Sequence, residues 1–277
     1  MKNKRDLTNF AATVLESFGL TKACSMNESD KDLLERITEK GKIEKAFLFH
    51  ADAIPSYVVE KYPDIFAKVR ENSTVEIGFN SVMPSITPCC FGAMFSGAYP
   101  ENNGIPEYAV PILSDELVQP ALKVKTLVDV FTENGLKVAL VTCANGCIAS
   151  MLYGRGADMY IIEGDDDKKM FEKAIELFEN NEHDVIMLYQ LSYDYKMHEC
   201  GPESGEALNV LAEITDRYAA VCEKARSVWE GKNYLTVFNT DHGCHSNPPE
   251  YEKKGDHGKD IPEDMELVWF FGTNKAL

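Results

Sequence analysis

Met83-Pro84-Ser85-Ile86-Thr87-Pro88-Cys89-Cys90-Phe91-Gly92-Ala93-Met94-Phe95-Ser96-Gly97-Ala98-Tyr99-Pro100 is the stretch from which the rest of the chain reads outward. Thr87 precedes a proline, and a residue in that position is pushed away from the helical region. Pro88 suits the first turn of a helix, where its missing N–H costs nothing. Phe91, Met94 and Phe95 recur at helical spacing, and Gly97 supplies a stop. Thr87 is therefore expected as the N-cap of a short helix. Its hydroxyl would sit at the positive helix end, a place that stabilises an alkoxide or a phosphate.

On either side of this segment, short apolar runs alternate with amphipathic ones. Residues 46–50, 75–79, 137–142, 158–163, 184–191, 234–239 and 267–271 read as strands. Residues 57–69, 125–134, 165–180 and 204–229 read as helices, and 246–264 as loop. Strands alternating with helices predict an α/β fold with a doubly wound, mostly parallel sheet and helices on both faces. No repeat or linker interrupts it, so a single domain over 1–277 is expected. Residues 1–44 form a helical N-terminal extension packed on that domain.

The chain has 277 residues, 44% of them hydrophobic, and a formal net charge of −17. That charge argues against a nucleic-acid polymer or an anionic membrane as partner. An acidic protein that handles phosphate needs local positive charge, which bound cations supply. The first 20 residues lack a continuous apolar run with a cleavage site, and no 18 apolar residues run together. The expected location is cytoplasmic, with the eight cysteines as reduced thiols.

In such sheets ligands bind beyond the carboxyl ends of the strands. Asp52, Asp194 and Asp241 each fall just past the end of a separate predicted strand. His198 lies four residues after Asp194, His242 follows Asp241, and His257 lies in the late loop. Taken singly, each has an ordinary explanation as a turn, cap or surface residue. Together with the Thr87 hydroxyl they are enough for two metal ions, and mixed imidazole and carboxylate ligation suits zinc first and manganese second. His50 is expected in the core and His183 in solvent. His245, at helical spacing from His242, could replace a ligand. The Asp165-Asp166-Asp167 run is expected to be solvated at a helix start.

The order of these motifs resembles the alkaline phosphatase superfamily, in particular its nucleotide pyrophosphatase/phosphodiesterase branch. The motifs are Phe49-His50-Ala51-Asp52, then Pro84-Ser85-Ile86-Thr87 through Gly104-Ile105, Asp194-Tyr195-Lys196-Met197-His198 through Ser204, Thr240-Asp241-His242-Gly243, and Asp256-His257-Gly258. The resemblance covers roughly residues 45–272. It implies that Thr87 is a nucleophile forming a phosphothreonine intermediate. Asp52, Thr87, Asp241 and His242 would bind one metal, and Asp194, His198 and His257 the other. The implied substrate is a small phosphodiester or phosphomonoester, with a nucleotide as candidate. The oligomeric state is left open.

Among the departures from the family's pattern, the one at Cys90 bears on substrate. Ala53 stands where the family often has Gly. Cys90 stands where its phosphodiesterases usually carry an Asn that donates to a phosphoryl oxygen, so Cys90 is a candidate substrate-binding residue, though a thiol is a weaker donor. Phe91, Tyr99 and Tyr153 could stack a leaving-group base or belong to the core. The alternative reading is a catalytically idle relative that binds metal or nucleotide and acts through a partner. Retention of all seven residues speaks against it.

Overall fold

The structure, a computed structural model, describes residues 5–107, 121–144 and 146–274. In chain order its elements begin with α1 (Asn9–Ser17), α2 (Lys31–Ile37), β1 (Lys45–Ala51), α3 (Ser56–Lys61), α4 (Ala67–Glu71) and β2 (Val75–Asn80). There follow α5 (Thr87–Ser96), α6 (Pro100–Asn103), α7 (Leu127–Glu133), β3 (Val138–Cys143), α8 (Cys147–Leu152), β4 (Asp158–Ile162), α9 (Asp167–Asn180) and β5 (Val185–Gln190). The chain closes with α10 (Ser192–Cys200), α11 (Gly205–Val228), β6 (Tyr234–Asn239), β7 (His245–Ser246), β8 (Gly255–Asp256), α12 (Pro262–Met265) and β9 (Glu266–Thr273).

Seven strands form one sheet in the order β2-β9-β6-β1-β5-β3-β4. The five from β6 to β4 are parallel, and β9 pairs antiparallel with both β6 and β2. Every residue of β3, β5 and β6 is buried, as expected for strands covered on both faces. Alternation along β1 shows the two layers. Phe47 and Phe49 meet Phe178 of α9 and Tyr218 of α11 edge to face, while His50 points oppositely, against Phe91 and Phe95 of α5 and Phe10 of α1. This is the mostly parallel α/β arrangement the sequence predicts.

The N-terminal segment enters this core. Leu7, Phe10, Val14, Leu15 and Phe18 belong to the same buried cluster as the sheet residues. Residues 1–4 of the expected helical region lie outside the described residues. No helix among the described residues is long and apolar enough to cross a membrane. The eight cysteines are all free thiols.

Three local expectations are corrected. The helix expected over 57–69 is two helices, because Pro63 cannot donate into a continuing turn. Thr87 is not the N-cap of α5: Ile86, with extended backbone, holds that place and Thr87 opens the helix. His183 is buried, with Nε2 2.9 Å from Asp158 Oδ2.

Candidate active site

The adjacent central strands β6, β1 and β5 end at one edge of the sheet. Asp52 follows β1, Asp241 and His242 follow β6, and Asp194 lies in the first turn of α10 just after β5. The first two turns are tied together. Ala53 N–H donates to Asp241 Oδ1 at 3.3 Å and Ile54 N–H to Thr240 Oγ1 at 2.9 Å. Ala53 reaches this bond with φ +63°, a left-handed conformation that costs a residue with a Cβ about 1–2 kcal/mol. A glycine here would meet the same need without that cost. Gly243 is required for a different reason, since a Cβ there would stand 2.0 Å from Glu263 O.

Helix α10 places Asp194 and His198 on one face, four residues apart. Its start is held by Asp167, whose carboxylate accepts the Leu191 N–H at 3.0 Å and the Ser192 N–H at 3.1 Å. Asp167 is therefore buried rather than solvated, and burial raises its pKa. Asp166 alone caps α9, accepting from Lys169 N–H.

Two groups of potential ligands result: Asp52, Asp241 and His242, and Asp194, His198 and His257. His242 Nε2 lies 3.4 Å from Asp52 Oδ1, 3.4 Å from Asp241 Oδ2 and 3.2 Å from Thr87 Oγ1. Asp194 Oδ1 lies 3.5 Å from both His198 Nε2 and His257 Nε2. The groups abut, with the His242 and His257 rings stacked at 4.1 Å between centroids. All seven residues expected from the sequence meet at this place.

The chemistry of this donor set fits cations. Asp52 Oδ1, Asp194 Oδ1 and Asp241 Oδ2 are buried without a hydrogen-bond partner, a costly state for a carboxylate unless something positive faces it. The three imidazoles are aligned for ligation. His242 Nδ1 donates to Gly243 O at 2.9 Å, His198 Nδ1 to Gly255 O at 2.8 Å, and His257 Nδ1 to Ser85 O at 3.2 Å. A carbonyl can only accept, so Nδ1 carries the hydrogen and the Nε2 lone pair faces the carboxylates.

The charges confirm the strain of this arrangement. Burial, then repulsion from Asp241 and Asp194, lifts the Asp52 carboxyl well above its usual range. Burial likewise pushes Asp241 up to about 8 and raises Asp194. His257 is pushed down to about 2 by burial and by the neighbouring His242 and His198, so it stays neutral and free to ligate.

Other expected residues stand elsewhere. Cys90 is fully buried, with Sγ 3.1 Å from Ser81 Oγ and facing the Val82 and Pro84 carbonyls, so a substrate contact would first require uncovering it. Phe91 is core, whereas Tyr99 and Tyr153 are exposed. His50 is core, as expected, with Nδ1 2.7 Å from Asn239 Oδ1. His245 stands outside both ligand groups, bonded to Asp264 at 2.8 Å. One residue was not anticipated: Tyr189, at the end of β5, donates its buried hydroxyl to Asp52 Oδ2. No spacing signal marks it, because a strand-end tyrosine reads as core.

The family model described as type I phosphodiesterase / nucleotide pyrophosphatase matches residues 49–271. No curated protein is significantly similar in sequence. Among solved structures, human ectonucleotide pyrophosphatase/phosphodiesterase 5 is 14% identical with a TM-score of 0.63, over 82% of this chain and 87% of that one. An inactive threonine-to-alanine variant of the murine protein, in complex with AMP, is 13% identical with a TM-score of 0.61, over 82% and 87%. Phosphonoacetate hydrolase from Sinorhizobium meliloti 1021, in complex with phosphonoformate, is 16% identical with a TM-score of 0.54, over 72% and 56%. The fold is thus alkaline phosphatase-like.

Proposed function

The chain belongs to the type I phosphodiesterase/nucleotide pyrophosphatase family and is a hydrolase acting on phosphoester bonds, and we propose that it works through Thr87 as nucleophile at a two-cation site. Asp52, Thr87, Asp241 and His242 would hold one cation, and Asp194, His198 and His257 the other. The carboxylate and imidazole donors favour Zn2+, with Mn2+ second. Bound there, such cations polarise the phosphoryl oxygens and lower the cost of ionising a hydroxyl or water.

The residues of the chain do the rest. Thr87 Oγ loses its proton and attacks phosphorus, the bond to the leaving oxygen breaks, and a phosphothreonine forms as the leaving alcohol takes up a proton. Water then attacks the same phosphorus from the opposite side, returning the hydroxyl to Thr87 and releasing the phosphate or phosphomonoester. The stacked His242 and His257 rings keep the two halves of the site together. The substrate class we favour is a small nucleotide-type phosphoester, in line with the AMP complex of the murine neighbour.

The observation that carries this reading is the set of three unpartnered, buried carboxylate oxygens beside three imidazoles and one hydroxyl. The test pairs metal analysis of the purified protein with turnover of aryl phosphate monoesters, aryl diesters and dinucleotides. Wild type should carry about two divalent cations and cleave at least one class, and Thr87→Ala should keep the cations and lose turnover. A fully active Thr87→Ala protein overturns the nucleophile assignment.

A further inference from the structure

His245, left out of both ligand groups, takes part in a closed circuit beside them. Its Nδ1 donates to Asp264 Oδ1 at 2.8 Å, and its Nε2 accepts from Lys259 Nζ at 2.8 Å. The fully buried Asp264 returns to Lys259, accepting its backbone N–H on Oδ2 at 2.8 Å. Asp264 O also accepts the Gly243 N–H at 2.8 Å, which fixes the segment just after His242.

The circuit closes on the strap over residues 255–259, whose midpoint is His257. At one end the strap is paired in register with β7, His245 against Asp256 and Ser246 against Gly255. At the other end it is held at Lys259 by His245 and Asp264. Between them Ser85 bridges back, its Oγ donating to Lys259 O at 3.2 Å while its own carbonyl accepts His257 Nδ1. The same strap carries Gly255 O, which orients His198. Two of the three potential ligands of one group therefore take their orientation from this strap.

We propose that Asp264, His245 and Lys259 form a positioning device that sets cation affinity at the Asp194/His198/His257 group by fixing the strap. Hydrogen bonds among a carboxylate, an imidazole and an ammonium are directional, so together they fix an angle that apolar packing alone leaves free. The residues touch no substrate and act only through His257 and His198. The proposal rests on the two-cation reading above and refines it.

The test is titration of metal-free protein with Zn2+ against a chromophoric chelator. Wild type should show two binding events. Lys259→Met, at an exposed side chain, should weaken one of them by about tenfold and leave the other unchanged, in the range measured for groups that orient ligands. His245→Ala should do the same, and Lys259→Arg should restore the lost affinity by returning a donor to His245. In a His198→Ala background, where that group is already broken, Lys259→Met should add nothing. Wild-type affinities in both variants, or equal weakening of both events, overturn the proposal. If wild type itself binds fewer than two cations, the two-cation reading falls, and this inference with it, which separates the two failures.

Discussion

Thr87 Oγ1 and His242 Nε2 stand 3.2 Å apart, although 155 residues of chain separate them. Because His242 Nδ1 carries its hydrogen toward Gly243 O, the Thr87 hydroxyl is the donor in this contact. The nucleophile candidate is thus aimed into the site by α5 and held by a group that itself faces two carboxylates. That relationship leads to the first prediction.

Thr87→Ala should lower kcat by at least ~10³-fold, since it removes the atom that becomes phosphorylated. Thr87→Ser should retain measurable turnover, because the oxygen survives. Metal content by atomic emission should stay near wild type in both. Loss of metal in the alanine variant would mean that Thr87 serves mainly as a ligand.

Metal-free protein should lose stability as pH rises from about 6.5 to 8. Asp52 and Asp241 have raised folded-state values, Asp241 to about 8. Raised carboxyls stabilise the fold below their unfolded value, about 4, and lose that contribution progressively as pH climbs to the folded one, so this contribution falls between about pH 4 and 8. His50 and His257 are depressed, to about 4 and about 2, chiefly by burial. Unfolded histidines take up protons below about pH 6.5, which opposes the carboxyl effect there and leaves the net fall to the range above it. Thermal unfolding in chelator between pH 5 and 8 checks this, with a steeper fall expected above about pH 6.5 than below it. Saturating Zn2+ should flatten that fall, because cations bind the ionised carboxylates, and at a hundredfold excess over Kd one site adds about 2.7 kcal/mol.

Tyr189→Phe should weaken cation binding by about 10–100-fold at the group containing Asp52, and leave the other group unchanged. The ring remains packed on Phe91, where the centroids are 5.4 Å apart, so only the hydroxyl that holds Asp52 Oδ2 is lost. Calorimetric titration of metal-free variant and wild type decides this. Equal affinities would show that the Ala53 turn and the sheet alone position Asp52.

Asp167→Ala should cost roughly 2–4 kcal/mol in denaturant unfolding of the metal-free protein, since it strands a buried and a half-buried N–H group at the start of α10. Asp167→Asn should cost less, because the amide keeps one acceptor. The alanine variant removes the anchor of α10 and the asparagine variant weakens it, so affinity at Asp194 and His198 should fall with stability in that order.

The site was legible to the degree that its residues follow apolar strands. Asp52 and Asp241 each come directly after one, and the carboxyl ends of parallel strands meet at one edge. Helix α10 was not legible, because its inward positions include Asp194 and His198, and polar groups there erase the apolar period that marks a helix. The break at Pro63 was a readable signal that the regular spacing around it obscured. The direction of β9 could not be read, since a buried strand has the same composition whichever way it runs.

Strand periodicity by itself determined an α/β sheet with seven polar groups bound for one edge, because that periodicity and the groups that follow each strand are local properties of the chain, and the order of the motifs supplied the resemblance that implies phosphoester hydrolysis. Only the tertiary structure decided which nitrogen of each imidazole faces inward, that Tyr189 and Asp167 support the site, and that His245 joins Lys259 and Asp264 instead of the ligands. Those choices depend on carbonyls and carboxylates brought within about 3.2 Å, most of them from distant segments, and a hydrogen bond of that length is set by packing, not by spacing along the sequence.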